Sequence, residues 1–318
     1  MGILKGIFIL LIIVILGAPI WYYVQGTKLK PFNDEARALA PGEYIKVTDG
    51  HLHYRWDGPE DGPVIVMAHG FSTPLFVFEQ NAQALAEAGF RVLRYDHFGR
   101  GWSDRPRGVK YDVDFYDRAL VELLDGLNIT QPVGLVGLSM GGATTSEFTA
   151  RHPERVRKLF LLVPATFDTA GNEGFAVDLI RTPVIGDWVW RMIWRQMLLG
   201  NGEYEAASQG TADNRLMGDV TEQMDYDGFG YALLSTLRHM PMIDREETFA
   251  SLAATDVPVM ALYGDKDNVV LISSAERLRS AHPEALVREL EGGEHDLNIR
   301  RYKEVSPMLV DWFSEPPQ

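Results

Sequence analysis

The chain has 318 residues, of which 46% are apolar, so it is long enough to bury a substantial core and is not expected to be disordered. Its formal net charge of -14 argues against a nucleic-acid partner, because an acidic surface repels phosphates. It has no cysteine, which excludes disulfides, thiol catalysis and cysteine-ligated metals.

An uncharged apolar stretch of nineteen residues runs from Gly6 to Val24. At about 1.5 Å of rise per residue, a helix of this length nearly spans a hydrocarbon core about 30 Å thick. The aromatic run 21–23 lies where an interfacial belt is expected. The stretch therefore predicts a single-pass membrane anchor over residues 1–27 and a membrane localisation.

A cleaved signal peptide is the alternative interpretation of this stretch. The best cleavage motif, at 16–18, begins with a large leucine, and Pro19 would follow the cut, so the uncleaved anchor is favoured. The flanking charges conflict about orientation. Lys5 favours export of the body, whereas Lys28 and Lys30 oppose it, and the exported side is slightly favoured.

From residue 43 onward, short apolar runs alternate with helical patterns. The predicted strands are 43–50, 51–58, 63–70, 91–96, 132–139, 157–165, 258–265 and 285–293. The first two form a hairpin with Asp49-Gly50 at its turn. The later runs are apolar on both faces, which predicts an α/β fold with a mostly parallel twisted sheet flanked by helices. We assign 28–42 to a linker, and 43–165 with 243–318 to this core.

Residues 166–242 show helical patterns and no convincing strand, which predicts a helical cap inserted into the core. Within it, Trp190, Trp194 and Met197 recur at the spacing of one helix face. Two interpretations stay open: a helix packed on the core, or a lid helix that lines an apolar pocket or touches a bilayer. In the second interpretation, these three residues are candidate substrate contacts.

A G-x-S-x-G pattern, Gly137-Leu138-Ser139-Met140-Gly141, stands between a predicted strand and a predicted helix. In that context the pattern is typical of a sharp turn that leaves one serine at its apex. The glycines lack a Cβ, so neighbouring segments can approach closely, and the helix N-terminus presents backbone N–H groups to a reacting atom. We therefore predict that Ser139 is a nucleophile.

A serine hydroxyl is a weak nucleophile and needs a base, usually a histidine that a carboxylate orients. Of the eight histidines, His295 directly follows the last predicted strand, at the sheet edge where sites form in such folds. Asp265 and Asp267 both follow the preceding strand, and we favour Asp267 as the acid. The chain order Ser139, Asp267, His295 is the order expected for this arrangement.

A tetrahedral acyl intermediate also needs donors for its oxyanion. The backbone N–H of Met140 directly follows the predicted nucleophile, and the N–H of Phe71, after an early strand, is the second candidate. His69, beside that loop, is interpreted as a structural residue that braces it through hydrogen bonds. We expect no metal and no organic cofactor in this site.

These features jointly resemble the α/β-hydrolase superfamily, from the predicted hairpin to the last predicted helix. The motifs that carry the resemblance are His69-Gly70-Phe71-Ser72, the stretch 96–104, the glycine-flanked Ser139, Gly264-Asp265-Lys266-Asp267 and His295. The resemblance implies the roles of nucleophile, acid and base for Ser139, Asp267 and His295. It also implies that Phe71 and Met140 form the oxyanion hole.

The stretch 96–104 looks like the family's loop after an early strand, so Asp96, Arg100 and Asp104 are interpreted as loop-fixing and not as catalytic. The chain also resembles, more loosely, the membrane-anchored monoacylglycerol lipases. This resemblance depends on the apolar N-terminal stretch, the cap and the two serine-containing motifs. A serine at position 139 argues against the haloalkane dehalogenase and epoxide hydrolase branches, whose nucleophile is an aspartate.

The function expected from the sequence is a membrane-anchored serine hydrolase that cleaves carboxylic esters with an apolar, lipid-like acyl part through an acyl-enzyme. The expected partners are a small-molecule ester or lipid and the membrane, without nucleic acid, and no pattern indicates an oligomeric state. One alternative is a hydrolase of carbon–carbon bonds in ring-cleavage diketones, against which the anchor counts. The other is a catalytically silent, tethered binding module, which predicts a broken triad.

Overall fold

The computed structural model describes residues 5–6, 17, 19–24, 26, 28–171, 174–200, 215–240 and 242–315. Its strands are β1 Glu43–Val47, β2 Gly50–Asp57, β3 Val64–Ala68, β4 Arg91–Tyr95, β5 Val133–Leu138, β6 Val156–Leu162, β7 Val259–Gly264 and β8 Leu286–Leu290. They form one sheet in the order β1-β2-β4-β3-β5-β6-β7-β8. β2 is antiparallel to β1 and to β4, and all other neighbours are parallel. The mostly parallel α/β sheet predicted from the sequence is confirmed.

Both faces of the central strands are buried. In β5, Leu135 belongs to the apolar core on one face and Val136 to the core on the other. Val66 and Met67 of β3 divide between the two cores in the same way. Because neither face meets water, these strands are apolar throughout and lack the alternation of a half-exposed strand.

Helices cover both faces and connect the parallel strands. In the described part of the chain they are α1 Asp34–Arg37, α2 Glu79–Glu87, α3 Val113–Gly126, α4 Met140–Arg151, α5 Phe175–Arg181, α6 Ile185–Leu199, α7 Arg215–Met224, α8 Phe229–His239, α9 Glu246–Ala253, α10 Ser273–Ala281, α11 Leu297–Arg300 and α12 Tyr302–Ser314. α2 and α12 pack on one face, and α3, α4, α9 and α10 pack on the other. Ser139, Asp267 and His295 follow β5, β7 and β8, so they meet at one edge of the sheet.

Helices α5 to α8 lie between β6 and β7, within the predicted cap segment 166–242. α6 packs against α5 and α8. The segment before β1 reaches the same region: the N–H of Lys30 donates to the carbonyl of Asp225, and the N–H of Asp227 donates to that of Lys30, both at 2.8 Å. Part of the cap segment lies outside the described residues, and its limits as a separate domain stay a prediction.

The predicted N-terminal transmembrane helix and the membrane localisation are wrong: among the residues that the structure describes, none forms a helix long and apolar enough to cross a membrane. Much of the stretch 1–27 lies outside the described residues. Two aromatic residues at its end, expected at a membrane interface, contact α6 instead. The ring centroids of Trp21 and Trp188 are 5.7 Å apart, and the Arg191 guanidinium lies 3.9 Å from the ring centroid of Tyr22. At these two residues, protein contacts take the place of the predicted lipid contacts.

Candidate active site

Ser139 stands between β5 and α4 in a backbone conformation that L residues rarely adopt, with φ 53° and ψ -114°. The turn leaves no room for a side chain at two of its glycines. A Cβ at Gly137 would run into the side chain of Thr145, and one at Gly142 would lie 2.6 Å from the Cβ of Pro164. The strand therefore turns into the helix within one residue, and Ser139 is held at the apex.

The ring of His295 lies between Ser139 and Asp267. Its Nε2 is 3.1 Å from Oγ of Ser139, and its Nδ1 is 2.8 Å from Oδ2 of Asp267. The other carboxylate oxygen of Asp267 accepts hydrogen bonds from the backbone N–H groups of Val269 and Val270, at 2.7 and 2.8 Å. In the tautomer with a proton on Nδ1, the Nε2 lone pair therefore faces the serine hydroxyl.

The structure brings the three predicted residues into one hydrogen-bonded row. Asp265, the alternative acid, lies apart from it, with Oδ2 3.8 Å from Nζ of Lys266. The Asp267 side chain is 1% exposed and that of His295 is 21% exposed, so solvent can reach the base but not the acid. The catalytic roles of Ser139, Asp267 and His295 stay predictions, since this geometry supplies a base and a hydroxyl but no observed reaction.

The two predicted oxyanion donors stand after β3 and at the start of α4. Phe71 follows β3, and Met140 is the first residue of α4. Among the described residues, neither backbone N–H has a hydrogen-bond acceptor. The N–H groups of the first helical turn also carry the positive end of the helix dipole. Both N–H groups are therefore available to a ligand oxygen.

His69 directly follows β3, two residues before Phe71, and is completely buried. Its Nδ1 is 2.8 Å from the carbonyl oxygen of Gly70, and its Nε2 accepts from the backbone N–H of His97 at 2.9 Å. Burial lowers the pKa of His69 to about 4, which favours the neutral ring that this pair of contacts requires. The contacts agree with the interpretation of His69 as a brace for the loop.

Asp96 is buried at the start of the loop that follows β4. Its Oδ1 accepts from the N–H of Leu75 at 2.7 Å, and its Oδ2 accepts from the N–H of Trp102 at 2.9 Å and lies 2.7 Å from Nδ1 of His53. Burial raises the pKa of Asp96, but the hydrogen bonds from His53 and the Trp102 N–H, together with the nearby rings of His53 and His69, outweigh burial, so that the pKa lies below its ordinary value. These contacts agree with the loop-fixing interpretation.

A cavity of about 220 Å³ opens in front of Ser139 and His295. Its lining in the described residues is Gly70, Phe71, Ser72, Thr73, Val77, Leu138, Ser139, Leu198, Val269, His295, Asp296, Asn298 and Ile299. Half of these side chains are aliphatic or aromatic, and the other half are polar. The predicted substrate contacts Trp190, Trp194 and Met197 are described residues and are not part of this lining, whereas Leu198 of the same helix is.

The tryptophans of α6 pack against α8. Nε1 of Trp190 donates to the carbonyl of Gly230 at 2.7 Å, and the ring centroids of Trp194 and Phe229 are 5.7 Å apart. Both tryptophans border a second cavity of about 300 Å³, separate from the one at the serine. Met197 is 46% exposed. This placement agrees with the core-packing interpretation of the helix, and a role of these residues in substrate binding stays a prediction.

Sequence reasoning missed several residues of the cavity lining. Val77 lies in a 3₁₀ turn at 75–78, shortly after the Phe71 loop, and Asn298 and Ile299 lie in α11, shortly after His295. The one usable signal was this proximity along the chain to motif residues. Apolar side chains in such positions are ordinary core residues in most folds, so their type alone does not mark a site.

Comparison with known proteins matches most of the chain to a single fold. A family model described as alpha/beta hydrolase fold matches residues 63–302. A putative non-heme chloroperoxidase from Synechocystis sp. is 26% identical over 270 residues, which cover 79% of this chain and 91% of the relative. The enol-lactonase from Burkholderia xenovorans LB400 is 26% identical, with a TM-score of 0.64 over 86% of this chain and 100% of that one.

A further solved structure shows the same fold. The esterase from Exiguobacterium antarcticum is 21% identical, with a TM-score of 0.70 over 86% of this chain and 100% of that one. Other matched proteins are named haloalkane dehalogenase or meta-cleavage product hydrolase. The matched proteins therefore span several reaction types on one fold.

Proposed function

The chain belongs to the α/β-hydrolase family, and we propose that it is a serine hydrolase that cleaves carboxylic ester bonds in substrates with an apolar acyl group. The observation that carries the proposal is the position of His295, with Nε2 3.1 Å from the Ser139 hydroxyl oxygen and Nδ1 2.8 Å from Asp267. A serine nucleophile needs this combination of a base and an acid that orients it. Ser139 is the nucleophile, His295 the base and Asp267 the acid.

In the first half of the reaction, Oγ of Ser139 attacks the ester carbonyl carbon while Nε2 of His295 takes the hydroxyl proton. The carbonyl electron pair moves to the oxygen, which accepts hydrogen bonds from the N–H groups of Phe71 and Met140. When the carbonyl re-forms, the carbon–oxygen bond to the alcohol breaks. The alcohol takes the proton from His295, and the acyl group stays on Ser139.

In the second half, a water molecule attacks the acyl-enzyme and gives its proton to His295. Collapse of this intermediate releases the carboxylic acid and returns the proton to Oγ of Ser139. Asp267 keeps the Nδ1 proton in place and stabilises the imidazolium in both halves. Its second oxygen is held by the N–H groups of Val269 and Val270, so the acid cannot turn away from the ring.

The cavity at Ser139 supports an apolar acyl group as the substrate part. Phe71, Val77, Leu198 and Val269 offer aromatic and aliphatic surface to it. Its volume of about 220 Å³ is below the roughly 300 Å³ at which pockets for drug-sized ligands begin, which favours a short or compact acyl chain. The similarity to an enol-lactonase adds support for ester cleavage, because a lactone is a cyclic ester.

A fluorophosphonate probe, which reacts with activated serine hydroxyls, tests the nucleophile. The wild-type protein should label and Ser139→Ala should not. Ser146→Ala is the matched control, because the Ser146 hydroxyl is buried in α4 and donates to the carbonyl of Gly142 at 2.7 Å. That variant should label like the wild type. An unlabelled wild type, or a labelled Ser139→Ala, contradicts the assignment.

A substrate panel tests the reaction. It contains p-nitrophenyl esters of increasing acyl length, a lactone, a monoacylglycerol, a lysophospholipid and a ring-cleavage diketone. We expect the highest kcat/KM for a short-chain ester. Preference for the diketone would replace the ester reaction by carbon–carbon bond cleavage at the same serine. No turnover together with no probe labelling would indicate a binding module.

A further inference from the structure

Arg100, in the loop after β4, is a completely buried arginine whose guanidinium donates to five neutral acceptors. They are the carbonyl oxygens of Phe71 at 2.9 Å and Phe98 at 3.3 Å, the hydroxyl of Tyr116 at 2.6 Å, Oγ1 of Thr236 at 2.9 Å and Sδ of Met140 at 3.9 Å. Their number equals the five N–H donors of a guanidinium. Arginine is rarely buried this deeply unless a carboxylate pairs with it. Among the described residues, no carboxylate is a hydrogen-bond partner of Arg100.

Two of the five acceptors belong to the residues of the proposed oxyanion hole. The bond from Nε fixes the carbonyl of Phe71, and the guanidinium carbon lies 5.4 Å from the centroid of the Phe71 ring. Nη2 contacts the sulfur of Met140. A guanidinium is a rigid planar fork, so a single group contacts both residues whose N–H groups would hold the oxyanion.

The remaining side-chain acceptors connect Arg100 to helices α3 and α8. Tyr116 on α3 and Thr236 on α8 also bond each other, with their hydroxyl oxygens 2.9 Å apart. Gln223 on α7 makes a parallel connection: its Nε2 donates to the carbonyl of Ser72 at 2.7 Å, and its Oε1 accepts from the N–H of Gly101 at 2.6 Å. Gln223 thus connects Ser72 and Gly101, the neighbours of Phe71 and Arg100, to helix α7, while Arg100 itself is bonded to helix α8.

The charged guanidinium of Arg100 contacts Phe71 and Met140, the two residues whose N–H groups would receive the developing negative charge. Burial lowers the pKa of Arg100, but an arginine guanidinium stays protonated in proteins. Because its five acceptors are neutral, its hydrogen bonds do not cancel the positive charge. A cation in a low-dielectric interior favours an anion that forms near it.

We infer that Arg100 is a positioning residue of the active site: it sets the spacing of the Phe71 and Met140 N–H groups and anchors both residues to helix α8. The inference rests on the proposed function, because an oxyanion hole acts only if Ser139 attacks a carbonyl. It extends the loop-fixing role predicted from the sequence to a role in transition-state binding. Loss of the guanidinium should therefore lower kcat more than it raises KM.

Arg100→Lys keeps the charge but loses the fork, and Thr236→Val removes a single acceptor. For Arg100→Lys we expect kcat to fall about 10- to 100-fold with KM within about threefold of the wild type. For Thr236→Val we expect a fall of about three- to tenfold. Affinity for an alkyl boronic acid should fall by the same factor as kcat, because its tetrahedral adduct on Ser139 places an oxygen in the oxyanion hole.

Arg94→Lys is the matched control. Arg94 is a buried arginine of β4, and its Nε donates to the carboxylate of Asp57 at 2.7 Å, a contact that involves none of the site residues. This variant should lose stability with kcat and boronate affinity unchanged. The same result for Arg100→Lys and Thr236→Val would mean that Arg100 is structural only, and would overturn the inference.

The two proposals fail in different ways. If the wild type neither labels with the fluorophosphonate nor turns over an ester, the proposed function fails, and the inference falls with it. If wild type is active and Ser139→Ala is not, while both Arg100→Lys and Thr236→Val keep kcat and boronate affinity, only the inference fails. If Arg100→Lys does not fold, Thr236→Val decides, because it removes one hydroxyl and leaves the arginine in place.

Discussion

The carbonyl oxygen of Ala68, at the end of β3, lies so close to the α carbon of Gly141 that a Cβ on this glycine would collide with it. Helix α4 therefore packs directly on the backbone of the neighbouring strand. The same contact brings the first turn of α4 next to the loop that carries Phe71. The glycine thus governs how near the two predicted oxyanion donors can come to each other.

Gly141→Ala should lower the free energy of unfolding by about 1–3 kcal/mol, because the added methyl group must push α4 away from β3. It should also lower kcat/KM at least tenfold, since the same shift separates the oxyanion donors. Urea unfolding and ester turnover measure the two effects. Gly218→Ala is the control: that glycine lies in α7 with open space around its Cβ position, so alanine should leave stability unchanged or raise it by up to about 1 kcal/mol. Equal effects of both variants would contradict the steric argument.

Asp267→Asn should lower kcat by about 10³- to 10⁴-fold, because an amide neither holds the Nδ1 proton of His295 nor stabilises the imidazolium. The protein should still fold, since the amide oxygen can accept from Val269 and Val270. Asp265→Asn, two positions earlier and paired with Lys266, should keep kcat within about threefold. Steady-state kinetics of the two variants compare the two candidate acids. A larger loss in Asp265→Asn would reverse the assignment.

The stability of the protein should fall as the pH drops from about 6.5 to about 4. Burial holds the pKa of His69 at about 4 in the folded chain, whereas an unfolded histidine titrates near 6.5. Within this window the unfolded state binds a proton that the folded state does not, so each pH unit costs up to about 1.4 kcal/mol. Above about 6.5 this contribution to stability is fully present.

Urea unfolding at several pH values measures this slope, with His69→Asn as the comparison. Asparagine does not titrate, so the variant should show a slope shallower by about one proton, although it is less stable overall. Identical slopes for wild type and His69→Asn between pH 5 and pH 6.5 would show that another group causes the acid sensitivity.

Leu198→Ala should shift the acyl preference toward longer chains, because it enlarges the cavity at Ser139. The ratio of kcat/KM for octanoate and butyrate esters should rise several-fold. Met197→Ala is the control from the same helix: Met197 is 46% exposed and is not part of that lining. A shift for Met197→Ala without one for Leu198→Ala would support the substrate role predicted for Met197.

The central sheet was predictable because burial on both faces leaves a plain signal. The apolar runs 132–139 and 157–165 contain β5 and β6 almost entirely. The row of Ser139, Asp267 and His295 was predictable for a related reason. Parallel strands end at one edge, so residues that follow different strands can be expected to meet there.

The contacts of amphipathic and apolar segments were not predictable. Helical periodicity identified the face of α6 that carries Trp190 and Trp194, but it gives no information about what that face packs against. Hydropathy likewise measures the transfer of side chains out of water, whatever receives them. The hydropathy of Trp21 and Tyr22 therefore predicts a bilayer around them, although these residues contact α6.

At Ser139 the backbone holds a φ of 53°, a conformation that glycine adopts readily and serine does not. Ser139→Gly should therefore have a free energy of unfolding in urea about 1 kcal/mol higher than that of Ser139→Ala, although both variants lack the hydroxyl. Selection for stability alone would favour glycine at this position. The hydroxyl is thus kept at the expense of stability, a trade-off between folding and activity that is concentrated in one residue.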